Sequence, residues 1–396
     1  MNFIYISPQF PRTNWYFCER LRNNGVTVLG IGDTPYDELP QEIRSALNEY
    51  YYLDSLEDYD KVFRAVAFFS FKYGKIDWIE SNNEYWLELD AKLRTDFNVA
   101  TGVHSDYIFA MKSKALMKKQ YMAAGIKSAR QEFATDYKSC KKFIDKVGFP
   151  VIVKPEIGVG ATDTWKLCNE KDLTDFFNEK PSVKYVIEEF VDGNIYSYDA
   201  IVDSNGDPLF ESMTVWPPSI MDIVIDELDL AYYVSNDMPD QLRELGRAAV
   251  KMFHASRRFV HLEFFRLNHA QEGLGKAGDF VGLEVNMRPA GGYTPDMMNY
   301  AHSTDVYQIW ADMVAFDKRH LPLPKENHCC AYAGRRDRVQ YRHSEHEIFE
   351  KYGSDIVMCE RLPEMMVPQM GNKMYTAKAK DEKAAQEFIK FVETRA

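Results

Sequence analysis

The run Gly282-Leu283-Glu284-Val285-Asn286-Met287-Arg288 commits its part of the chain to a β-strand with two unlike faces. Successive side chains of a strand point to opposite sides. Leu283, Val285 and Met287 therefore share one face, and Glu284, Asn286 and Arg288 the other. A carboxylate, a carboxamide oxygen and a guanidinium in one row suit a metal-bound polyphosphate. Glu and Asn give hard oxygens to Mg²⁺, and Arg neutralises phosphate oxygens. The competing reading is an edge strand whose polar face meets water. Upstream, Phe259-Val260-His261-Leu262-Glu263-Phe264-Phe265-Arg266-Leu267 is a second strand-like run, and the Gly- and charge-rich stretch 269–279 between them reads as a hairpin loop. Antiparallel pairing brings Glu263 beside Glu284 and Asn286. Adjacent carboxylates raise each other's pKa unless a cation joins them, so a divalent metal is expected there, with Glu284 as a bridge if two ions bind.

A chain of 396 residues has room for a large core and two or three domains. Its net charge of −12, with no long basic run, argues against nucleic-acid binding. No apolar stretch approaches the length of a membrane span. Residues 3–7 read as a first strand rather than a signal peptide. The six cysteines are scattered, without a CxxC pair, and Cys329-Cys330 is vicinal. That pattern suggests reduced thiols and a cytoplasmic location.

Residues 1–106 alternate strand and helix signals: strands at 3–7, 27–31 and 76–79, helices at 14–24 and 56–73. This predicts an open α/β sheet of Rossmann type. It lacks GxGxxG, and Gly30-Ile31-Gly32-Asp33 reads as a turn, so no dinucleotide site is expected. A second unit begins near residue 107 with a helix over 106–124 carrying Lys112, Lys114, Lys118 and Lys119. Strand signals follow at 131–134, 149–155 and 185–190. A third part from 195 holds the acidic hairpin and a helix over 239–255, and the chain closes with strands at 329–334 and 374–379 and helices at 344–352 and 382–393.

Lys154 ends an apolar strand and Pro155 stops its pairing. Gly158, Gly160 and Ala161 lie just beyond, where small residues let backbone N–H groups approach phosphate. A plain hairpin turn is the alternative. Glu188-Glu189-Phe190-Val191 runs from a strand into a turn, and such a stretch can offer backbone groups to an adenine edge or simply be an edge strand. Three arginines, Arg335, Arg336 and Arg338, suit either a carboxylate clamp or a solvated basic face, with the solvated face favoured. Trp216-Pro217-Pro218 suits a pocket wall or an aromatic turn. His261 is expected to be structural and to line the acidic site.

The order of these pieces, Lys112, Lys154 with its Gly-rich loop, Glu188-Glu189-Phe190-Val191, Glu263, then Glu284-x-Asn286-x-Arg288 with Gly291-Gly292, resembles the ATP-grasp superfamily, and within it the carboxylate–amine ligases. The likeness covers about residues 1–330. It implies a Rossmann-like pre-ATP-grasp α/β domain (1–106) followed by an ATP-grasp fold of two α+β subdomains: a lid (107–194) and a metal and substrate subdomain with a C-terminal α+β extension (195–396).

By the same resemblance, Lys112 and Lys154 contact ATP phosphates, and Gly158, Gly160 and Ala161 form the phosphate loop. Glu188, Glu189, Phe190 and Val191 hold the adenine. Glu263, Glu284 and Asn286 bind Mg²⁺ (or Mn²⁺), and Arg288 stabilises the transferred phosphoryl group. Many members carry a ribose-binding Glu where this chain has Ile195, so ribose contacts are expected either from elsewhere, with Asp199 as the candidate, or to be weaker. The Gly loop is leaner than usual and the 263–284 hairpin longer. The implied partners are a small-molecule carboxylate and an amine, with no nucleic acid or membrane, and a homodimer is compatible with the resemblance. A phosphoryl-transfer enzyme or a non-catalytic nucleotide sensor on the same scaffold is the alternative function.

Overall fold

A computed structural model of the protein describes residues 1–158, 163–179, 182–216, 229–323 and 326–396. The apolar run Phe3-Ile4-Tyr5-Ile6 is buried on both faces, as a central parallel strand requires. Strands β1 (Asn2–Ile6), β2 (Thr27–Gly32), β3 (Glu49–Tyr52) and β4 (Trp78–Glu80) form a parallel sheet in the order β3-β2-β1-β4. The expected turn at Gly30-Ile31-Gly32 is instead the end of β2. Its glycines serve packing, since a Cβ at Gly30 would lie 2.7 Å from Leu47 Cδ1. β3 escaped the sequence reading because Glu49-Tyr50-Tyr51-Tyr52 sits at the sheet edge, without apolar alternation.

A small antiparallel sheet contains β5 (Gln131–Phe133), β6 (Val151–Pro155), β7 (Trp165–Leu167) and β8 (Tyr185–Glu189), ordered β5-β8-β6-β7. Two helices, Tyr137–Val147 and Glu170–Glu179, bury Phe143, Ile144, Leu173 and Phe176 against it.

The largest sheet is antiparallel. It is built of β9 (Gly193–Val202), β10 (Pro208–Trp216), β11 (Ala231–Ser235), β12 (Arg258–Leu267), β13 (Phe280–Asn286), β14 (Cys329–Arg335), β15 (Ile356–Arg361) and β16 (Lys373–Ala379), in the order β13-β12-β9-β10-β11-β14-β16-β15. Both of its faces are buried. Helices Thr294–His302 and Val306–Phe316 fill one side and carry Trp310 and Tyr307 against Phe3 of the N-terminal sheet and Phe17 of the helix Asn14–Asn23. Helices Lys114–Ala123, Asp240–Met252 and Glu382–Glu393 cover the other. Among the described residues no helix is long and apolar enough to cross a membrane.

The single helix expected over 106–124 is two, Ile108–Lys112 and Lys114–Ala123. Ser113 breaks it: its Oγ accepts from Leu116 N–H as an N-cap and donates to Glu156 at 2.7 Å. The break turns the second helix so that Tyr121 lies on β13. Gly282 makes room, since a Cβ there would be 2.9 Å from the Tyr121 ring.

Candidate nucleotide and metal site

Strands β9, β12 and β13 present one polar row. The register sets Glu263 opposite Glu284 and His261 opposite Asn286, with Asp199 across from His261 on β9. A bulge between Glu263 and Phe264 shifts the pairing, so Phe264 faces Gly282 and Glu284 keeps Glu263 as its neighbour. His261 is wedged between carboxylates: Nδ1 lies 2.6 Å from Asp199 and Nε2 3.2 Å from Glu263. Burial works against the imidazolium, but the Asp199 charge and these bonds outweigh it and push His261 up to about 9. Burial would likewise raise Glu263, but its bond from His261 and the charges of Arg288 and Lys154 bring it below the usual range.

Cations converge on this row from the other two layers. Lys114 Nζ is 3.5 Å from Glu284 and 3.2 Å from the Gly158 carbonyl. Lys154, at the end of β6, pairs with Glu188 at 2.9 Å, and Lys118 stands 3.7 Å from the same carboxylate. All three are largely buried. One carboxylate cannot satisfy two ammonium groups equally. Burial pulls Lys118 down and Glu188 only partly compensates; among the described residues its Nζ has no hydrogen-bond partner. Lys154 has the closer contact; there burial is overcome by Glu188, Glu284 and Glu263, and its pKa rises. Glu188, despite burial, is held down at about 2 by the two lysines and by Gln131. Three lysines gathered beside the acidic row form a ready cradle for polyphosphate.

Among the described residues no three His, Cys, Asp or Glu side chains form a metal cluster. Glu263, Glu284 and Asn286 supply two carboxylates and a carboxamide. That donor set fits Mg²⁺, which keeps several waters and completes its shell with substrate phosphates.

No family model matches the chain. Over 252 residues it is 22% identical to the L-arginine-specific L-amino acid ligase of Bacillus subtilis, a stretch covering 61% of this chain and 58% of that protein. The match therefore spans less than two thirds of that curated relative. The crystal structure of an L-amino acid ligase from Bacillus licheniformis superposes with a TM-score of 0.71 at 13% identity, over 98% of this chain and 96% of that one. N5-carboxyaminoimidazole synthetase from Staphylococcus aureus, also solved with ADP, gives 0.68 at 15% identity, over 98% and 96%. The fold is an ATP-grasp fold.

On this ATP-grasp scaffold the expected site residues fall into three groups. Lys154, Glu263, Glu284 and Asn286 come together with Gly158 at the margin, while Gly160 and Ala161 lie outside the described residues, as do Pro217 and Pro218. Arg288 lies just past β13, not within it; its Nη1 donates to the Pro289 carbonyl at 2.7 Å and its Nε is 3.5 Å from Glu84.

The structure corrects several assignments. Lys112 turns away to Glu88 at 3.0 Å because the chain breaks at Ser113 directly after it; Lys114 and Lys118 take its place. Asp199 cannot reach a ribose, being fully buried under His261, Ser197 and Thr214. Glu188 lies between β5 and β6 in the ladder, and the Glu189 N–H donates to the Arg130 carbonyl, so these two groups are not available to an adenine edge. The Glu189 side chain instead clamps Arg130 at 2.6 Å. Val191, beyond the strand end, keeps its backbone N–H and C=O free of hydrogen bonds among the described residues and packs its side chain against Leu267 and Val281. Phe190 follows β8 as well, its carbonyl taken by Gln271 and its ring under Lys166. Arg335 and Arg336 form no solvated face: they donate to the carbonyls of Val392, Val367 and Pro368 and tie down the C-terminal segment.

Besides Lys114 and Lys118, two residues were missed. Gln271, in the long hairpin, bonds the Phe190 carbonyl and the Asp192 N–H, so the extra loop length braces the turn after β8. Glu84 is buried, and among the described residues its Oε2 has no hydrogen-bond partner; burial raises its pKa, Arg288 opposes and Glu284 adds to the rise. Nothing local marks it in sequence, since it comes from the loop after β4.

Proposed function

We propose that this chain is an ATP- and Mg²⁺-dependent enzyme that activates a small carboxylate as an acyl phosphate and ligates it to an amine, with ADP and phosphate as co-products. The convergence of Lys114, Lys118 and Lys154 on the Glu263–Glu284–Asn286 row, with Arg288 beside it, supports this reading. The ligases named among the relatives favour amino acids as substrates. In this reading residues 107–194 cover the phosphates and 195–396 hold metal and substrate.

Glu263, Glu284 and Asn286 would hold Mg²⁺, which supplies charge neutralisation on the polyphosphate. Lys114, Lys118 and Lys154 bind and orient the phosphate chain from the opposite side. The substrate carboxylate attacks the γ-phosphorus, forming a C–O–P linkage and releasing ADP. Arg288 offers its guanidinium to the oxygens gaining charge. The amine then forms the C–N bond, the C–O bond to phosphate breaks, and the amine proton passes to solvent or a nearby base. His261 holds Glu263 in orientation and, bonded on both nitrogens, is a support rather than a base.

Screening pairs of amino acids and other small carboxylates, with chromatography of the spent nucleotide, tests the proposal. ADP and a condensed product are expected. AMP with pyrophosphate, or a phosphorylated substrate without condensation, would overturn it. Replacing Arg288 with Lys keeps the charge but loses the planar fork. Turnover should fall by about 10²-fold or more with little change in ATP affinity; unchanged turnover would remove Arg288 from the chemistry.

A further inference from the structure

Apart from the phosphate cluster, a cavity of about 230 Å³ opens beyond the C-terminal end of β1, where ligands of open parallel sheets commonly sit. The start of helix Asn14–Asn23 gives it Trp15 and Tyr16. The segment following Arg288 gives Tyr293 and Asp296, and the edge strand β15 gives Glu360. Arg12 and Glu42 complete the charged lining. The volume lies below the roughly 300–1,000 Å³ of drug-sized pockets and suits a small polar molecule.

The charges are out of balance: three carboxylates against one guanidinium, and none of Arg12, Glu42, Asp296 and Glu360 forms an ion pair among the described residues. Asp296 is half-buried, and among the described residues its carboxylate accepts one hydrogen bond from another residue, from Tyr307 at 3.0 Å on Oδ2. Burial, with a contribution from Glu360, pushes its carboxyl up to about 7. A carboxylate partly withdrawn from water and without a cation is costly, and a ligand cation would offset that cost. The walls are already set for one. Trp15 stacks on Tyr16, and Tyr16 on Tyr307, with centroids 3.9 and 4.9 Å apart; the stack covers both faces of Tyr16 and leaves Trp15 as the ring whose face can attract a cation.

We infer that this cavity binds the cationic group of a small amine or guanidine, between Asp296, Glu360 and the aromatic wall. Resting on the ligase reading, that ligand is the amine-bearing substrate, since Tyr293 and Asp296 lie on the segment that continues from Arg288.

Calorimetric titration of the full chain with agmatine tests the cavity, and ADP release with agmatine or L-arginine as the amine tests the substrate role. Saturable agmatine binding is expected, weakened at least about tenfold in Asp296→Asn and in Glu360→Gln, both folded by thermal melting. Glu360→Gln, at the more open edge, guards against a structural effect at Asp296. In turnover, both variants should raise KM for the amine and leave KM for ATP unchanged. No saturable binding, or equal binding by both variants, overturns the cavity assignment. Binding lost in the variants while no amine supports ADP release upholds the cavity and sinks the ligase reading. ADP release with unaltered amine KM in both variants overturns the substrate role.

Discussion

Replacing Glu284 with Gln is expected to reduce ATP turnover by at least about 10³-fold without changing the fold. The substitution preserves volume and removes one charge from a row in which Glu263 is the facing residue and Lys114 lies 3.5 Å away. The backbone carbonyl of Glu284 still accepts from Tyr121, so the anchoring of helix Lys114–Ala123 on β13 survives. What is lost is one of two carboxylates for a hard cation, and removal of comparable electrostatic stabilisation costs 10²–10³ or more in rate. Circular dichroism and thermal melting report the fold, and a coupled assay of ADP release reports the chemistry. Wild-type turnover in this variant would refute the metal assignment.

Replacing Glu188 with Ala should be the most destabilising change in the phosphate cradle. Glu188 is the shared partner of Lys154 and Lys118, all three being buried. Removing one partner of a buried ion pair typically costs about 3–5 kcal/mol, because the remaining charge is left uncompensated. Two lysines are stranded here. The loss should be partly recovered on adding an ATP analogue with Mg²⁺, because the phosphates take over the role of the carboxylate. Thermal melting with and without nucleotide checks this; an unstable variant with no nucleotide rescue would mean that the lysines do not face the phosphates.

Acid dependence follows from the same residue. The folded-state pKa of Glu188, about 2, lies below its ordinary value, so its stabilisation is fully present above about pH 4.5 and is lost as pH falls towards 2. The difference amounts to roughly 3 kcal/mol. Glu188→Gln should flatten stability over that window, and an unchanged acid limb of the denaturation curve would contradict the assignment.

Local sequence was sufficient wherever a single element carried the signal. The period-two alternation at 282–288 gave β13 and its polar face, and the two strand-like runs with a Gly-rich loop gave the β12–β13 hairpin. The apolar start 3–6 and the spacing of helices gave the parallel N-terminal sheet, and the apolar run before Pro155 gave β6 with Lys154 near its end. These follow from backbone geometry, because side-chain direction within a strand is set by position alone.

Tertiary structure decided the rest, because the remaining features depend on which elements meet. A one-residue interruption at Ser113, stabilised by a hydrogen bond to Glu156 far along the chain, rotates Lys114 and Lys118 into the site and leaves Lys112 outside. Asp199 is polar in sequence, yet β9 lies between β12 and β10, so it is sealed beneath His261. Glu188 looks like an edge residue until β5 and β6 pair on either side of β8, which turns its carboxylate into a counter-ion for two lysines. Glu84 joins the cluster only because the N-terminal sheet packs its loop against Arg288. Burial and charge neighbours are properties of the assembled layers, and no local pattern in the chain encodes them.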